Sequence, residues 1–138
     1  VKNTLVSSEK KGFDAGKKIK GIKRHILIDT LGFVLAVVIQ NASVQDRDGA
    51  ISVIEKMKES WNNVTKIFAD GGYRGKLIDL VKEKFKIDLK IIKSDQFHTF
   101  KLLPKRWIVE RTFAWIDTNR RNSKNYEGLN NTSVAMVH

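Results

Sequence analysis

Two carboxylate residues of the chain stand where metal chemistry would be expected. Asp70 follows a strand-like run at 64–69 and precedes Gly71 and Gly72, whereas Glu110 lies within a long helical segment. In open α/β sheets functional groups gather beyond the carboxyl ends of strands, and glycines let the backbone approach a ligand. Position alone slightly favours a plainer interpretation of Asp70, as a turn aspartate bonded to its own backbone.

Glu110 also has a plain interpretation, which is a surface ion pair with Arg106 four residues earlier on the same helix. Such a pair contributes only a few tenths of a kcal/mol. Trp107 and Trp115 stand close on either side of the glutamate, and we expect them to shield it partly from water. A shielded carboxylate is costly unless it meets a cation, which favours a role in binding one.

The chemistry that would use both carboxylates is attack on a phosphodiester by water or a 3′-hydroxyl. Two divalent ions about 4 Å apart activate the nucleophile and stabilise the leaving oxygen without a covalent enzyme intermediate. Mg²⁺ prefers oxygen ligands and keeps several waters, so two or three carboxylates suffice. The chain has no cysteine and only three histidines, and these show no metal-ligand spacing.

The positive charge is concentrated near the two ends of the chain. The formal net charge is +11, with eight basic and two acidic residues in 1–25 and seven basic and two acidic residues in 101–124. Two basic regions on a neutral body favour a polyanion partner, DNA or RNA, over a merely solvated lysine-rich surface. Arg120, Arg121 and Lys124 could contact phosphates, although a helix C-terminus also favours cations.

The pattern of apolar residues predicts a hairpin followed by strand–helix units. The turn of the hairpin has the composition Asp29-Thr30-Leu31-Gly32, and the continuously apolar second strand is typical of one covered on both faces. This order predicts a single α/β domain over 1–138, with a mixed sheet flanked by helices. The predicted elements are strands at 23–29, 33–40, 64–69 and 89–92, and helices at 46–60, 76–85 and from Pro104 to about Arg121.

Both ends of the sequence look cut. The chain begins at Val1, and Asn131-Thr132-Ser133 resembles a helix N-cap followed by only four apolar residues. We therefore expect a domain truncated at both ends. Because no apolar run approaches the length of a membrane span and no secretory segment is evident, we expect no membrane partner and a soluble, intracellular protein.

Three strings carry a resemblance to a known family: KKIKGIKRHILIDTLGFVLAVVIQNASVQDRDGA, FADGGYRG and LPKRWIVERTFAWIDTNRRNSKNYE. Together they resemble, over essentially the whole chain, the transposases of the insertion-sequence-five family of bacterial mobile elements. The resemblance implies a ribonuclease-H-like DDE domain that binds two Mg²⁺ (or Mn²⁺) ions and transfers strands of transposon-end DNA. It also implies double-stranded DNA as partner (ends and target), self-association in a synaptic complex, and a bacterial cytoplasmic, nucleoid-associated location.

The resemblance assigns roles residue by residue. Asp70 matches the second catalytic aspartate of the family and Glu110 its catalytic glutamate, so both are expected to bind metal. Arg106 matches an arginine one helical turn before that glutamate. In a wider tyrosine–arginine–glutamate–lysine signature, Leu103 holds the tyrosine place and Asp117 the lysine place. We expect Arg106, together with the basic residues at 120, 121 and 124, to lie near DNA phosphates.

The first catalytic aspartate of the family has no counterpart in the chain. In the family it lies on the first strand, a few residues before a Ser-Val-Lys string, whereas this sequence begins Val1-Lys2-Asn3. Asp14 and Asp29 do not stand in the matching context. We therefore expect the first strand to be missing and the chain to be inactive alone. The alternatives are a non-catalytic basic DNA-binding remnant and another ribonuclease-H-like nuclease.

Overall fold

A computed structural model describes residues 2–3, 11–92 and 106–137, with the side chains of 11–92 and 107–137. Its strands and helices alternate along much of the chain, and a single 3₁₀ turn, Gly71–Tyr73, follows the fifth strand. The elements are β1 (Lys2–Asn3), β2 (Gly12–Asp14), β3 (Ile19–Ile28), β4 (Val34–Asn41), α1 (Asp46–Ser60), β5 (Lys66–Ala69), α2 (Lys76–Phe85), β6 (Asp88–Ile91), α3 (Arg106–Thr118), α4 (Arg120–Ser123) and α5 (Asn130–Ala135).

The predicted hairpin is formed by β3 and β4, which pair antiparallel from Ile22↔Asn41 to Ile28↔Val34. The turn is held by Asp29, whose Oδ1 accepts hydrogen bonds from the three following backbone amides at 31–33, at 2.8–2.9 Å. Gly32 has φ +99°, a conformation that glycine adopts without steric cost. Aspartate and glycine at these two positions therefore set the turn.

Both faces of β4 are covered, as its continuous apolar sequence predicts. Ala36 belongs to a core built with α1, α2, β5 and β6. On the other face Val37 and Ile39 pack with Ile22 of β3 and with Val134 of α5. The hairpin is therefore the central layer between two helical layers.

A second, parallel sheet is formed by β5 and β6, in register from Lys66↔Asp88 to Ala69↔Ile91. The connection between them is α2, which is the usual means of linking parallel strands. Met57, Val81 and Ile87 are fully buried between these elements. Parallel and antiparallel strands flanked by helices confirm the predicted mixed α/β fold.

The carboxyl-terminal helices differ from the prediction. The helix expected to run from Pro104 to about Arg121 ends at Thr118, and α4 begins after Asn119, whose side chain accepts a hydrogen bond from Arg121 N at 3.0 Å. Asparagine competes for backbone donors in this way and interrupts helices. Pro104 and Leu103 lie outside the described residues.

The predicted cap of the last helix is also wrong, because α5 begins at Asn130, after Leu129. The polar residues expected to cap it bond elsewhere: Asn130 Nδ2 donates to Ile39 O at 3.4 Å, and Ser133 Oγ donates to Asn125 Oδ1 at 2.8 Å. These hydrogen bonds join α5 to β4 and to the segment after α4. None of the helices in the described ranges has the length and apolar content needed to cross a membrane.

Candidate active site

A cavity of ≈ 340 Å³ lies between β3 and β5. Consecutive residues of each strand line it, Arg24 to Leu27 of β3 and Ile67 to Ala69 of β5. Because successive side chains of a strand point to opposite faces of the sheet, a cavity lined by consecutive residues runs along the strand edges. The cavity is therefore a slot between the two sheets.

The strand pairing agrees with this geometry. β4 pairs with one edge of β3, and β6 with one edge of β5. Within the described ranges, the second edge of β3 pairs only near its beginning, Lys2 with Ile22 and Asn3 with Gly21 on that side. Apolar side chains of α1 and α3 wall the slot on either side, namely Ala50, Val53, Ile54, Val109 and Phe113.

The structure brings the two predicted catalytic residues to this same slot. Asp70 and Glu110 both line it, and both are exposed to solvent. Asp70 comes from the end of β5 and Glu110 from the middle of α3. Two residues forty positions apart in sequence therefore converge at one edge of the sheet, where functional groups of α/β folds gather.

Asp70 also performs the plainer role considered for it. Its Oδ1 accepts a hydrogen bond from Gly72 N at 2.9 Å and caps the turn Gly71–Tyr73. This bond fixes the carboxylate at the mouth of the slot and leaves Oδ2 without a donor from the described residues. A turn aspartate and a metal ligand are therefore compatible roles for Asp70.

Tyr73 is a further polar residue at the slot. Burial, together with the negative charges of Asp46 and Asp70, raises the pKa of Tyr73 to about 12. The phenol is therefore protonated at neutral pH and can donate a hydrogen bond next to Asp70.

Helix α3 is fixed above the slot by its contacts with the hairpin turn. Thr112 Oγ1 lies 3.1 Å from Gly32 O and 3.0 Å from Ile108 O, and Arg111 Nη2 donates to Leu31 O at 2.8 Å. A Cβ on Gly32 would lie 3.1–3.4 Å from side-chain atoms of this helix. The turn thus determines where Glu110 meets the slot.

The expected shielding of Glu110 by tryptophan is wrong. Glu110 is exposed, and Trp107 and Trp115 are themselves 44% and 59% exposed. The two indoles stack on Arg111 instead, each 4.6 Å from its guanidinium carbon. They therefore lie on a different strip of the helix from the glutamate.

The donor set suits a hard divalent cation but is small. Asp70 and Glu110 offer carboxylate oxygens, the ligands that Mg²⁺ prefers. Among the described residues no three His, Cys, Asp or Glu side chains form a group that could hold a metal ion. Asp14 and Asp29 do not add to the set, because each binds backbone amides of its own turn.

The predicted phosphate-binding residues are partly described. Arg120, Arg121 and Lys124 are exposed on and just after α4, and Arg121 Nη2 forms an ion pair with Glu127 Oε1 at 2.6 Å. Arg106 begins α3, but its side chain lies outside the described residues.

A buried arginine that sequence reasoning missed joins these elements to the slot. Arg24, only 8% exposed, donates to Asn122 O at 2.9 Å and approaches Asn122 Oδ1 at 3.4 Å. Burial lowers the pKa of its guanidinium, and the charge of Asp117 opposes that effect. Arg24 thus connects β3, at the slot, with α4, which carries two of the predicted DNA-binding arginines.

His25 makes the stability of the domain dependent on pH. Its side chain is 6% exposed, and Nε2 has no partner among the described residues. Burial lowers the pKa of His25 below 6.5, although Asp46 partly opposes this. Below pH 6.5 the unfolded chain therefore binds a proton that the folded chain excludes, and the free energy of unfolding falls as the pH decreases towards the folded pKa.

We expect His25→Leu to reduce this loss of stability in acid. One proton contributes at most about 1.4 kcal/mol per pH unit to the slope. Urea unfolding of wild type and variant between pH 7.5 and 5 measures the difference, since the other groups titrate in both proteins. Parallel stability curves for the two proteins would contradict the burial of neutral His25.

Comparison with known proteins agrees with this geometry. The family model of the transposase DDE domain matches residues 2–138. No curated protein and no solved structure matches the chain significantly. A match over essentially the whole length, on a mixed α/β fold that places Asp70 and Glu110 at one slot, shows that the chain belongs to the transposase DDE domain family.

Proposed function

We propose that this domain carries out metal-dependent phosphodiester hydrolysis and strand transfer at the ends of an insertion-sequence-five element, with Asp70 and Glu110 as metal ligands. The observation that carries the proposal is that these two carboxylates line the same slot. When bound, a pair of Mg²⁺ or Mn²⁺ ions would supply an activated nucleophile and a stabilised leaving oxygen. Asp70, held by Gly72 N, and the protonated Tyr73 would orient the ligands and water at its mouth.

We also propose that the slot receives one more strand, which carries the third carboxylate. β1 pairs antiparallel with β3, with Lys2 opposite Ile22 and Asn3 opposite Gly21. In this register, positions before Lys2 would pass along β3 opposite Lys23 and then Arg24 to Leu27, the residues that line the slot. A strand continuing β1 would thus enter the slot and pair with free edges on both sides.

DNA would approach this edge of the sheet through basic residues. Arg120 and Lys124 are exposed, and α4 is joined to β3 by Arg24. We propose that these two residues, with Arg121 and Arg106, contact the phosphates of double-stranded transposon ends and target, and that the domain self-associates in the synaptic complex. Each neutralised phosphate would make binding more sensitive to salt.

The proposal is tested by completing the sheet. In the strand-completed domain, a short segment of alternating apolar residues with one aspartate precedes Val1 and continues β1. With supercoiled plasmid and Mn²⁺, we expect the 138-residue chain to leave the plasmid intact and the strand-completed domain to nick it. The matched control has asparagine in place of the added aspartate, and we expect no nicking.

A non-catalytic DNA-binding role is the second candidate. It is favoured by the finding that the described residues offer no metal-binding group of three. It predicts salt-sensitive DNA binding without nicking, whatever aspartate position is tried in the added segment. Equal nicking by the aspartate and asparagine versions would instead reject the role of the third carboxylate.

A further inference from the structure

An exposed aromatic strip lies on α3 beside the slot, and the proposed chemistry does not use it. The strip is Trp107, Arg111 and Trp115, spaced four residues apart and therefore on one side of the helix. The guanidinium carbon of Arg111 is 4.6 Å from each indole ring, within the range of cation–π contacts. We call these three residues the Trp–Arg–Trp ladder.

The ladder exposes more apolar surface than solubility explains. Its indoles are 44% and 59% exposed, and the hairpin turn that contacts Arg111 adds Leu31 and Phe33, exposed by 68% and 69%. Four large apolar side chains left in water beside one another mark an interaction surface in soluble proteins.

Arg111 is fixed within the ladder. Its Nη2 donates to Leu31 O at 2.8 Å, and its Nε is buried without a hydrogen-bond partner in the described ranges. An arginine held between two rings by both contacts is a rigid spacer rather than a mobile phosphate ligand. What the ladder offers a partner is therefore chiefly the surface of its two exposed indoles, with a positive charge between them.

We infer that the ladder binds unpaired nucleobases of the DNA strand held at the slot. This inference rests on the proposed function, which places DNA at Glu110. Trp107 precedes Glu110 by three residues, about 4.5 Å along the helix axis, little more than the 3.4 Å between nucleotides of one strand. A strand bound at Glu110 would carry its neighbouring bases past the ladder, and stacking on aromatic side chains accepts any base that is unpaired.

The charge of the chain favours DNA over a protein as the occupant. The net charge of +11 attracts a polyanion, and the ladder keeps a cation at its centre. Stacking combined with positive charge is the usual means of holding single-stranded nucleic acid.

The test compares two DNA probes of one sequence, a blunt duplex and a duplex with a forked end of three unpaired nucleotides. Binding is measured by fluorescence anisotropy at one salt concentration. We expect Trp115→Ala to weaken binding of the forked probe roughly 5- to 150-fold, the effect of losing about 1–3 kcal/mol of stacking. Blunt-duplex binding should change less than about 2-fold, and Trp115→Phe should retain much of the forked-probe affinity.

Trp61→Ala is the matched control, because Trp61 is 45% exposed at the end of α1 and does not line the slot. We expect it to bind both probes like wild type. In a Trp61→Phe background the remaining tryptophans both belong to the ladder, so forked DNA should quench the fluorescence more than blunt duplex does.

The possible failures are distinct. If wild type binds the duplex in a salt-sensitive manner but Trp115→Ala matches Trp61→Ala on the forked probe, the ladder inference is rejected and the proposed function stands. If wild type binds neither probe at low salt, both are rejected. If Trp115→Ala changes only the sedimentation mass of the protein, the strip is a protein interface and the inference is wrong.

Discussion

Asp70→Asn and Glu110→Gln will each abolish metal-dependent nicking by the strand-completed domain. Both substitutions keep the size of the side chain and remove the negative charge, so the loss reports on ligation rather than on packing. Loss of one ligand should lower metal affinity by at least the roughly 10–100-fold that outer-shell changes cause. Because the residues would act on one reaction centre, the double variant should be no worse than either single variant.

The matched controls are Asp79→Asn and Glu83→Gln, which change exposed carboxylates of α2. Nicking of supercoiled plasmid in Mn²⁺ is the measurement, and both controls should retain wild-type activity. Asp70→Asn keeps an oxygen that can accept the hydrogen bond from Gly72 N, so the turn should persist, as circular dichroism would show. If nicking survives either substitution, the assignment of that carboxylate is wrong.

Arg24→Met will destabilise the domain and release α4 from the sheet. Replacing a buried charge with an apolar side chain is neutral or stabilising in some proteins, because the cost of burying the charge disappears. Here the acceptor Asn122 O would remain buried without its 2.9 Å donor, and an orphaned acceptor is costly. We therefore expect a net loss of about 1.5–3 kcal/mol in the free energy of unfolding, the usual contribution of a charge-assisted hydrogen bond.

Urea unfolding measures the loss, and Lys20→Met on the same strand is the control, because Lys20 is exposed. Faster amide hydrogen exchange in residues 120–123 should accompany the Arg24 change and be absent from the control. Duplex DNA binding should weaken as well, since α4 carries Arg120 and Arg121. A stability equal to or above that of wild type would show that burial of Arg24 costs more than its hydrogen bonds contribute.

Local patterns predicted the elements well where one physical signal dominated. The bounds of α1 and α2 agree with the apolar periodicity of 46–60 and 76–85, and the apolar run of β4 correctly predicted a strand covered on both faces. The meeting of Asp70 and Glu110 followed from the family resemblance and agrees with the rule that sheet edges gather functional groups. The insertion-sequence-five subtype stays a prediction.

What the sequence could not show depends on long-range contacts. Arg24 and Asn122 are 98 positions apart, and no local pattern indicates that an arginine within a strand is buried. Helical periodicity placed Trp107, Arg111 and Trp115 on one side of α3 but did not show which side meets the sheet, so the predicted shielding of Glu110 was wrong. The break at Asn119 depends on a single side-chain hydrogen bond.

The most direct test of the central claim, that this chain supplies two carboxylates of a metal site completed by one more strand, is calorimetric titration with Mn²⁺. For the 138-residue chain we predict weak binding of no more than one ion, lost in Asp70→Asn and retained in Asp79→Asn. The strand-completed domain should bind two ions more tightly. Tight two-site binding by the 138-residue chain itself would contradict the account.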